Sequence, residues 1–367
     1  MTQIGIGIVG GGYMGKAHAA AHAAVGTLFN TALRPRLEMV CATSDASAET
    51  YRNAYGFQRA TSDWKTLVAD DKVDAVIIAS PQSTHRAIAE MACSLGKPVF
   101  CEKPLGRDVA DSRAMVAAAQ KAGVVNMSGF NYIRTPASQY AKQLLDEGVI
   151  GKITSFRGEL TEDFMADPNA PLTWRSHGAA NGCMGDLSPH PINCALRLMG
   201  PIETLIAEVE TVIPERPGGA VTNDDQAHIM CRFASGVLGN IFVSRTATGR
   251  KMGYKYEITG TKGAITFDGE DQNALHLYKM DGPEAQRGFT KILTGPAHPD
   301  YKPFCLGPGH GTGYQDQIII EAKDFLTAIH ENRNIWPTFR DGLAVNQIVA
   351  TAFASSQAKA WRTVSDF

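Results

Sequence analysis

The strongest constraint on the fold is a run of glycines directly after the first apolar segment, residues 4–9. This run has the pattern G-x-G-x-x-G and reads Gly10-Gly11-Gly12-Tyr13-Met14-Gly15. Between a strand and a helix, such glycines allow a tight turn, a close approach of the backbone to a pyrophosphate, and close helix–strand packing. The amide groups at the start of the helix then face the phosphates. The loop therefore predicts a dinucleotide site, and a glycine-rich turn that binds nothing is the alternative.

The first third of the chain alternates apolar strands with helical patterns. Further strands are expected at 37–42, 73–79, 98–101 and 124–128, and helices at 16–24, 84–95 and 109–122. Strands that alternate with helices favour a parallel α/β sheet. We expect residues 1–128 to form a Rossmann dinucleotide-binding domain.

Beyond about residue 130 the pattern changes to short strands separated by turn residues. Strands are expected at 153–160, 202–212, 227–233, 239–244, 254–258, 264–267 and 275–278, and helices at 137–147, 189–199, 316–330 and 341–361. Residues 129–367 therefore predict an α+β domain with a large, predominantly antiparallel sheet that binds substrate. No run of helices is available to cover the second face of this sheet, so we expect a homodimer or homotetramer that buries it.

Composition excludes several classes of function. A net charge of −2 without a basic run predicts no nucleic-acid partner, and no run of 18 apolar residues is present to span a membrane. Seven cysteines without a regular spacing, and no recognisable secretion signal, favour reduced thiols in the cytoplasm. His18 and His22 have the i, i+4 spacing of metal ligands, but no third ligand is evident, so no metal is expected.

The end of the second strand should contact the adenosine ribose. Ser44 and Asp45 lie there, about 30 residues past the first glycine rather than the usual twenty or so, and residues 29–36 resemble an insertion that accounts for the difference. A carboxylate at this point binds a ribose 2′-hydroxyl and repels a 2′-phosphate, which favours NAD. NADP remains the alternative, because either Ser44 or Asp45 could hold the critical position.

Three further motifs lie downstream of the glycine loop. They are Ala79-Ser80-Pro81-Gln82-x-x-His85, Glu102-Lys103-Pro104 and Gly182-Cys183-Met184-Gly185-Asp186-Leu187-Ser188-Pro189-His190. Together they resemble the glucose–fructose oxidoreductase, inositol dehydrogenase and rhizopine-catabolism (Gfo/Idh/MocA) family, over essentially the whole chain. The second and third motifs at this separation are specific, whereas each alone is weak.

The resemblance implies three catalytic residues. Lys103 would hydrogen-bond the reacting oxygen, His190 would take the hydroxyl proton, and Asp186 would orient the substrate. Histidine suits this role because it titrates near neutrality. With Ser188 as N-cap and Pro189 as the first helical residue, His190 would lie in the first helical turn, whose positive end favours a neutral imidazole. A solvated lysine and a simple helix cap are the alternatives.

The resemblance also implies binding residues. The cofactor would contact Gly10, Gly12, Tyr13, Met14, Gly15, Ser44, Asp45, Ser80, Pro81, Gln82, His85, Glu102, Lys103, Asn131 and Arg175. The substrate would contact Lys103, Tyr132, Asp163, Asp186, His190 and Asn193. Asn193 departs from the family, which often has Asp there, and Arg175 could instead reach the substrate or lie on the surface.

The expected function is therefore an NAD(P)-dependent dehydrogenase. It would oxidise a ring hydroxyl of a sugar, anhydrosugar, glycoside or inositol, or reduce the keto form. One alternative is a glycosidase or lyase that oxidises its sugar transiently and then returns the hydride. The other is a dinucleotide-binding regulator without catalysis.

Overall fold

The computed structural model describes residues 2–364, which form two compact units. The first unit comprises residues 2–134 together with Gly313–Asn346, and the second comprises Thr135–Thr312 together with 347–364. Residue 1 and residues 365–367, the outer ends of the two predicted domains, lie outside the described residues.

Strands and helices alternate strictly through the start of the first unit. They are β1 (Thr2–Val9), α1 (Tyr13–Phe29), β2 (Leu33–Cys41), α2 (Asp45–Tyr55), β3 (Arg59–Thr61), α3 (Trp64–Ala69), β4 (Ala75–Ile78), α4 (Gln82–Ser94), β5 (Val99–Cys101), α5 (Val109–Ala122) and β6 (Asn126–Ser128). All six strands are parallel, in the order β3-β2-β1-β4-β5-β6. This is the strand order of a Rossmann fold, in which ligands bind where the order reverses, between β1 and β4. The predicted fold of this part is confirmed.

The apparent insertion at 29–36 is not a loop. Helix α1 continues to Phe29, Asn30 ends it in the left-handed conformation, and β2 begins at Leu33. Residues 29–36 therefore comprise the last residue of α1, a short turn and the start of β2. The sequence analysis gave no bounds for α2 and α3, although a helix after the second strand was expected to carry Arg52.

The second unit contains most of the remaining elements. They are α6 (Pro136–Asp146), β7 (Ile153–Thr161), α7 (Cys183–Asp186), α8 (Pro189–Met199), β8 (Ile202–Glu210), β9 (Glu215–Arg216), β10 (Gly219–Ala220), β11 (Gln226–Phe233), β12 (Leu238–Ser244), β13 (Lys255–Gly260), β14 (Gly263–Asp268), β15 (Ala274–Lys279) and β16 (Thr290–Leu293). The chain then forms α9 (Tyr314–His330), α10 (Phe339–Ala358) and β17 (Arg362–Thr363). Helix α9 belongs to the first unit, and α10 begins there and continues into the second.

One sheet of nine strands dominates the second unit. Its order is β16-β15-β14-β13-β7-β12-β11-β8-β17, and every pair is antiparallel except β7 and β12. Burial alternates along β11, where Ala227, Ile229 and Cys231 are buried while Met230 is half exposed on the other face. The predicted, predominantly antiparallel α+β domain is confirmed, with one parallel pair that the sequence did not indicate.

The segment 313–346 packs within the first unit, although the sequence analysis placed it in the second domain. The side-chain amide of Gln315 on α9 donates to the carbonyl of Ala17 on α1 at 2.8 Å. The rings of Tyr13 and Tyr314 stack 5.8 Å apart. Helical periodicity identifies the apolar face of α9 but not the element that this face covers.

Two chemical features follow from the described residues. All seven cysteines are free thiols, and six of them are buried. Within residues 2–364, no helix is long and apolar enough to cross a membrane.

Candidate functional site

The three motif glycines of the first loop meet three different surroundings. A Cβ on Gly10, whose φ is +105°, would lie 2.5 Å from the carbonyl oxygen of Ala79, and one on Gly15 would lie 1.9 Å from the carbonyl oxygen of Gly10. A Cβ on Gly12 would meet nothing within 4 Å. Gly10 and Gly15 are thus required by the packing of the unit itself. Gly12 faces open space, as expected where a pyrophosphate approaches the backbone.

The start of α1 suits an anion. Its cap residue, Gly12, supplies no side-chain hydrogen bond, and its first turn contains no acidic residue. The first amide groups of a helix have no partners within it and carry the positive end of the helix dipole. These features fit the dinucleotide predicted from the sequence.

A cleft of about 360 Å³ opens beside this helix end. It is lined by Val9, Gly10, Gly11, Gly12, Cys41, Ala42, Thr43, Tyr51, Ser62, Trp64, Ala79, Ser80, Pro81, Thr84 and Ile88. The lining includes four of the predicted cofactor residues, and none of its side chains is charged. A 2′-phosphate would therefore meet no cation in this lining, which favours NAD over NADP.

The two predicted ribose residues do not line the cleft. The hydroxyl of Ser44 accepts a hydrogen bond from the amide of Ser47 and caps α2, while Asp45 is the exposed first residue of that helix. Thr43 lines the cleft instead. Tyr51 lies so close to Gly11 that a Cβ there would be 1.9 Å from its ring. Sequence reasoning missed both residues, since no bounds were predicted for α2 and its orientation was unknown.

Tyr13 and Met14, between the last two glycines, contact α9. Tyr13 remains largely exposed while stacking on Tyr314, and the Tyr314 hydroxyl donates to the sulfur of Met14 at 3.2 Å. Tyr314 also contacts Tyr132 edge to face, with ring centroids 6.4 Å apart. Burial raises the pKa of the Tyr314 phenol. Sequence reasoning missed Tyr314 because nothing in the pattern placed α9 beside the glycine loop.

The residues after β4 divide into a surface group and a buried one. Ser80 and Pro81 line the cleft, Gln82 begins α4, and the hydroxyls of Ser80 and Thr84 lie 2.6 Å apart. His85 is instead buried beneath this turn, where its ring meets backbone carbonyl groups.

Glu102 and Lys103 follow directly after β5. The Nε2 group of His18, on α1, donates to a carboxylate oxygen of Glu102 at 2.6 Å, and both side chains are largely buried. Burial opposes the ionisation of Glu102, but the hydrogen bond from His18, with the charges of His18 and Lys103, outweighs it and lowers the pKa of the carboxyl. Lys103 is partly exposed.

A second carboxyl is buried in the same unit. Glu321 on α9 accepts a hydrogen bond from the amide of Phe130 at 2.6 Å, and its other oxygen has no hydrogen-bond partner within residues 2–364. Burial and the nearby charge of Glu102 raise its pKa to about 8. The adjacent Asn131 is also buried and donates to Gln317 at 2.9 Å. Asn131 is therefore positioned by α9, which sequence reasoning did not foresee.

In the second unit, Arg175 and Asp186 form an ion pair. Their nearest nitrogen and oxygen atoms are 2.6 Å apart. The guanidinium of Arg175 also lies over two rings, 4.5 Å from the centroid of Trp174 and 5.2 Å from that of Phe164. The structure thus brings together two predicted site residues with two exposed aromatic side chains that the sequence analysis did not assign.

The backbone around Arg175 is held by buried side chains. Arg245 and Asn223 each donate to the carbonyl of Arg175, at 2.8 and 2.9 Å, and Arg245 also pairs with the buried Asp225 at 2.9 Å. The carboxylate of Asp224 accepts from the amide of Met184 at 2.6 Å. The irregular segment that carries Arg175 and Asp186 is therefore anchored by residues that directly precede β11 and follow β12.

His190 is buried in the first turn of α8, as predicted, with Pro189 as the first helical residue. Ser188 occupies the N-cap position, but its side chain caps nothing and donates to the carbonyl of Met184 at 2.5 Å. The expected Ser188 side-chain cap is wrong, because the chain enters α8 in helical conformation. Asn193 is buried one turn later, and its Oδ1 has no hydrogen-bond partner in the described part of the chain.

Asp163 is part of a surface interaction. Its carboxylate accepts from Lys251 at 2.7 Å and from the amide of Gly249 at 3.1 Å, and the Lys251 bond lowers its pKa. In residues 2–364, no cluster of three or more potential metal ligands occurs. His18 and His22 point to other partners, since the Nδ1 group of His22 donates to the His18 carbonyl.

Comparison with known proteins adds independent findings. Residues 4–130 match the family model described as "Oxidoreductase family, NAD-binding Rossmann fold", and residues 138–266 match "GFO/IDH/MocA C-terminal domain". The chain is 39% identical to levoglucosan dehydrogenase of Pseudarthrobacter phenanthrenivorans, over 98% of both chains. It is 27% identical to inositol 2-dehydrogenase of Rhizobium meliloti, over 95% of this chain and 96% of that one. A solved structure of levoglucosan dehydrogenase in complex with NADH and levoglucosan superposes with a TM-score of 0.96 at 38% identity, covering 99% of this chain and 100% of that one.

The loop glycines give a first prediction. Gly12→Ala fits the fold without a clash but fills the space that the pyrophosphate needs, so we expect NAD binding to weaken about tenfold or more with the melting temperature nearly unchanged. Gly15→Ala is the matched control, because its Cβ would collide with the Gly10 carbonyl and lower the melting temperature. Calorimetric titration with NAD and thermal denaturation measure both effects. A Gly12→Ala protein that binds NAD like the wild type contradicts the assignment.

Glu321 gives a prediction about stability and pH. Its pKa rises from an ordinary 4.5 to about 8 on folding. Between these values the unfolded chain loses a proton that the native protein keeps, so the contribution of Glu321 to the free energy of unfolding falls as pH rises. Glu321→Gln removes this loss. We expect the variant to gain roughly 2–5 kcal/mol over the wild type between pH 5 and pH 8.

Urea denaturation of both proteins at pH 5 and pH 8 measures this difference. Burial lowers the pKa of His22 to about 4, so its contribution makes the free energy of unfolding rise with pH up to about pH 6.5. This contribution is the same in both proteins, and the difference between them isolates that of Glu321. Glu331→Gln, at an exposed position, is the control and should show no such change. An advantage of Glu321→Gln that is equal at both pH values would refute the neutral carboxyl.

Proposed function

The chain belongs to the GFO/IDH/MocA family of NAD-binding oxidoreductases, and on that premise we propose that it oxidises a ring hydroxyl of a sugar, anhydrosugar or cyclitol. The identity of 39% with levoglucosan dehydrogenase over 98% of both chains makes levoglucosan the first candidate substrate. The inositol 2-dehydrogenase relative keeps inositols in the candidate set. Bound NAD would supply the hydride acceptor.

The observation that carries the proposal is the environment of Lys103. This residue follows a buried carboxylate that His18 holds in its ionised form, in the same unit as the glycine loop. The backbone amide of Lys103 donates to this carboxylate at 3.3 Å, which ties the lysine to a buried, fixed group. Lys103 would then donate a hydrogen bond to the reacting oxygen.

His190 and Asp186 would supply the remaining catalytic roles from the second unit. His190 would accept the hydroxyl proton, since histidine is the side chain whose ordinary pKa suits proton transfer at neutrality. Asp186 would accept hydrogen bonds from substrate hydroxyls, with its orientation fixed by Arg175. In the same unit, the amide oxygen of Asn193 and the side chain of Asp163 would also bind the substrate. The ring of Tyr132, from the first unit, would contact it as well.

The two units would have different roles in binding. Residues 1–128 would bind NAD, and residues 129–367 would bind substrate and assemble the oligomer, although Gly313–Asn346 packs with the first unit. The free thiols fit a reducing cytoplasm as the site of action. Arg175, which the sequence analysis also offered as a cofactor contact, is assigned to the substrate because it pairs with Asp186.

The outer face of the nine-stranded sheet would form the oligomer interface. It exposes Met230 at 50% and carries an open groove of about 630 Å³ lined by residues of β8, β11 and β12. The groove combines apolar side chains such as Ile206 and Phe242 with the ion pair of Glu208 and Lys359, and on a wide, open sheet it is a surface that a second copy of the chain can cover. We propose a homodimer or homotetramer on this basis.

The dehydrogenase function is tested by a turnover screen. Levoglucosan, inositols, glucosides and free aldoses are each incubated with NAD and with NADP, and we expect net NADH to accumulate in step with a ketone product from a carbohydrate or cyclitol. Lys103→Ala should lower kcat by about 10²-fold or more while NAD still binds. Lys97→Ala is the control, since that lysine is bonded to the Asp70 carbonyl and should be dispensable.

The alternatives give distinct results in the same screen. A glycosidase or lyase with transient oxidation would release an aglycone without net NADH, and a regulator would bind NAD and turn nothing over. Full turnover by Lys103→Ala would refute the proposed mechanism.

The oligomer is tested by sedimentation velocity at micromolar concentration. We expect a dimer or tetramer, and Met230→Glu should shift it toward monomer because a charge would enter the buried interface. Met280→Glu, at a methionine that is equally exposed outside the groove, should leave the assembly intact. A wild-type monomer at this concentration contradicts the proposal.

A further inference from the structure

His85 has an unusual pair of neighbours. It lies on α4 and is only 1% exposed. Its Nε2 atom is 2.8 Å from the carbonyl oxygen of Ser80, and its Nδ1 atom is 3.1 Å from the carbonyl oxygens of both Pro104 and Leu105. Both ring nitrogens therefore face backbone acceptors.

These acceptors belong to two separate loops of the first unit. Ser80 follows β4 and lines the NAD cleft, whereas Pro104 and Leu105 come directly after Lys103. A carbonyl group can only accept a hydrogen bond, and a neutral imidazole carries one N–H, so the ring donates to one of the two loops at a time and packs against the other. The ring thus spans the end of the cleft and the segment that carries the lysine.

Other contacts of the Lys103 segment lie on either side of these two carbonyls. The amide of Lys103 donates to Glu102 at 3.3 Å, and the side-chain amide of Asn346 donates to the Gly106 carbonyl at 3.0 Å. Between these two contacts, the carbonyls of Pro104 and Leu105 receive the His85 ring. The Leu105 carbonyl also meets the weak thiol donor of Cys101 at 3.9 Å, so loss of the ring would leave a carbonyl of a fully buried residue with a poorer donor, which is costly.

We infer that His85 is a positioning residue for Lys103, which it serves by tying the backbone after the lysine to the end of β4, and that it does not contact the cofactor. This assignment replaces the cofactor-binding role that the motif implied for His85. It rests on the proposed role of Lys103. Burial lowers the pKa of the imidazole, against the carbonyl contacts and the charge of Glu102, which raise it.

Loss of the hydrogen bond from the ring would lower the rate of the chemical step more than it would weaken NAD binding. The glycine loop and the start of α1 make no hydrogen bond to His85, so the pyrophosphate site should remain intact. A displacement of the lysine by as little as 1 Å can lower the rate about 10²-fold. His85→Phe retains an aromatic ring but no donor, whereas His85→Gln retains an amide that can reach one carbonyl at a time.

The experiment compares His85→Phe, His85→Gln and the control Asn126→Ala. Asn126 is also a buried polar residue of the first unit, but its side-chain oxygen accepts from Phe339 at the start of α10. For each protein, kcat is measured with levoglucosan or the best substrate of the screen, the Kd for NAD by calorimetry, and hydrogen exchange of amides 103–107 by mass spectrometry. Thermal denaturation of each variant shows whether a change in kcat accompanies a loss of stability.

We expect His85→Phe to lower kcat about 10- to 100-fold, to change the NAD Kd less than about threefold, and to accelerate exchange at 103–107. His85→Gln should give an intermediate kcat, and it replaces the Phe variant if that protein does not fold. Asn126→Ala should lose stability without these changes.

Two results would overturn the inference. An NAD Kd that weakens as much as kcat falls would make His85 a cofactor contact, and exchange at 103–107 that matches the Asn126→Ala protein would make it ordinary core. Failure of the proposed function is distinguishable from both. It would show as full turnover by Lys103→Ala, whereas the exchange measurement reports on the loop whatever Lys103 does.

Discussion

The buried hydrogen bond between His18 and Glu102 determines much of the first unit. It joins α1, directly after the glycine loop, to the end of β5, one residue before Lys103. A buried carboxylate is tolerated only with a close, charge-assisted partner, so α1 and β5 must keep this spacing. Gly129 reflects the same constraint, because a Cβ there would lie 3.0 Å from the Glu102 carboxylate.

The second buried carboxyl, that of Glu321, has a raised pKa rather than a lowered one. Burial and the nearby charge of Glu102 both oppose the ionisation of Glu321 and raise its pKa to about 8. It therefore offers the Phe130 amide an acceptor without adding a charge at neutral pH. Helix α9 is thereby bonded to the segment that contains Asn131 and Tyr132, and this explains why Gly313–Asn346 packs with the first unit despite its distance along the chain.

The sequence predicts those parts of the molecule in which a local pattern determines the structure. Helices α5 and α8 have the bounds that the sequence pattern indicated, and the glycine spacing predicted the turn between β1 and α1. Long-range pairing is not encoded locally, so neither the parallel pair β7–β12 nor the partner of α9 could be predicted. Ser44 shows a related limit, since a serine after a strand can bind a ribose or cap a helix, and only the fold decides.

In the second unit, the position of Asp186 depends on more than its ion pair with Arg175. Its ion pair with Arg175 is partly exposed, with 37% and 27% of the two side chains accessible, and pairs of this kind contribute about 0–1 kcal/mol. Such a pair cannot hold an irregular segment in place. The Arg175 backbone is instead fixed by Arg245, which is paired with a fully buried Asp225, and the Met184 amide is fixed by Asp224. Buried charges at the ends of β11 and β12 therefore determine the geometry of the exposed pair, and substrate hydroxyls would meet a carboxylate that is already oriented.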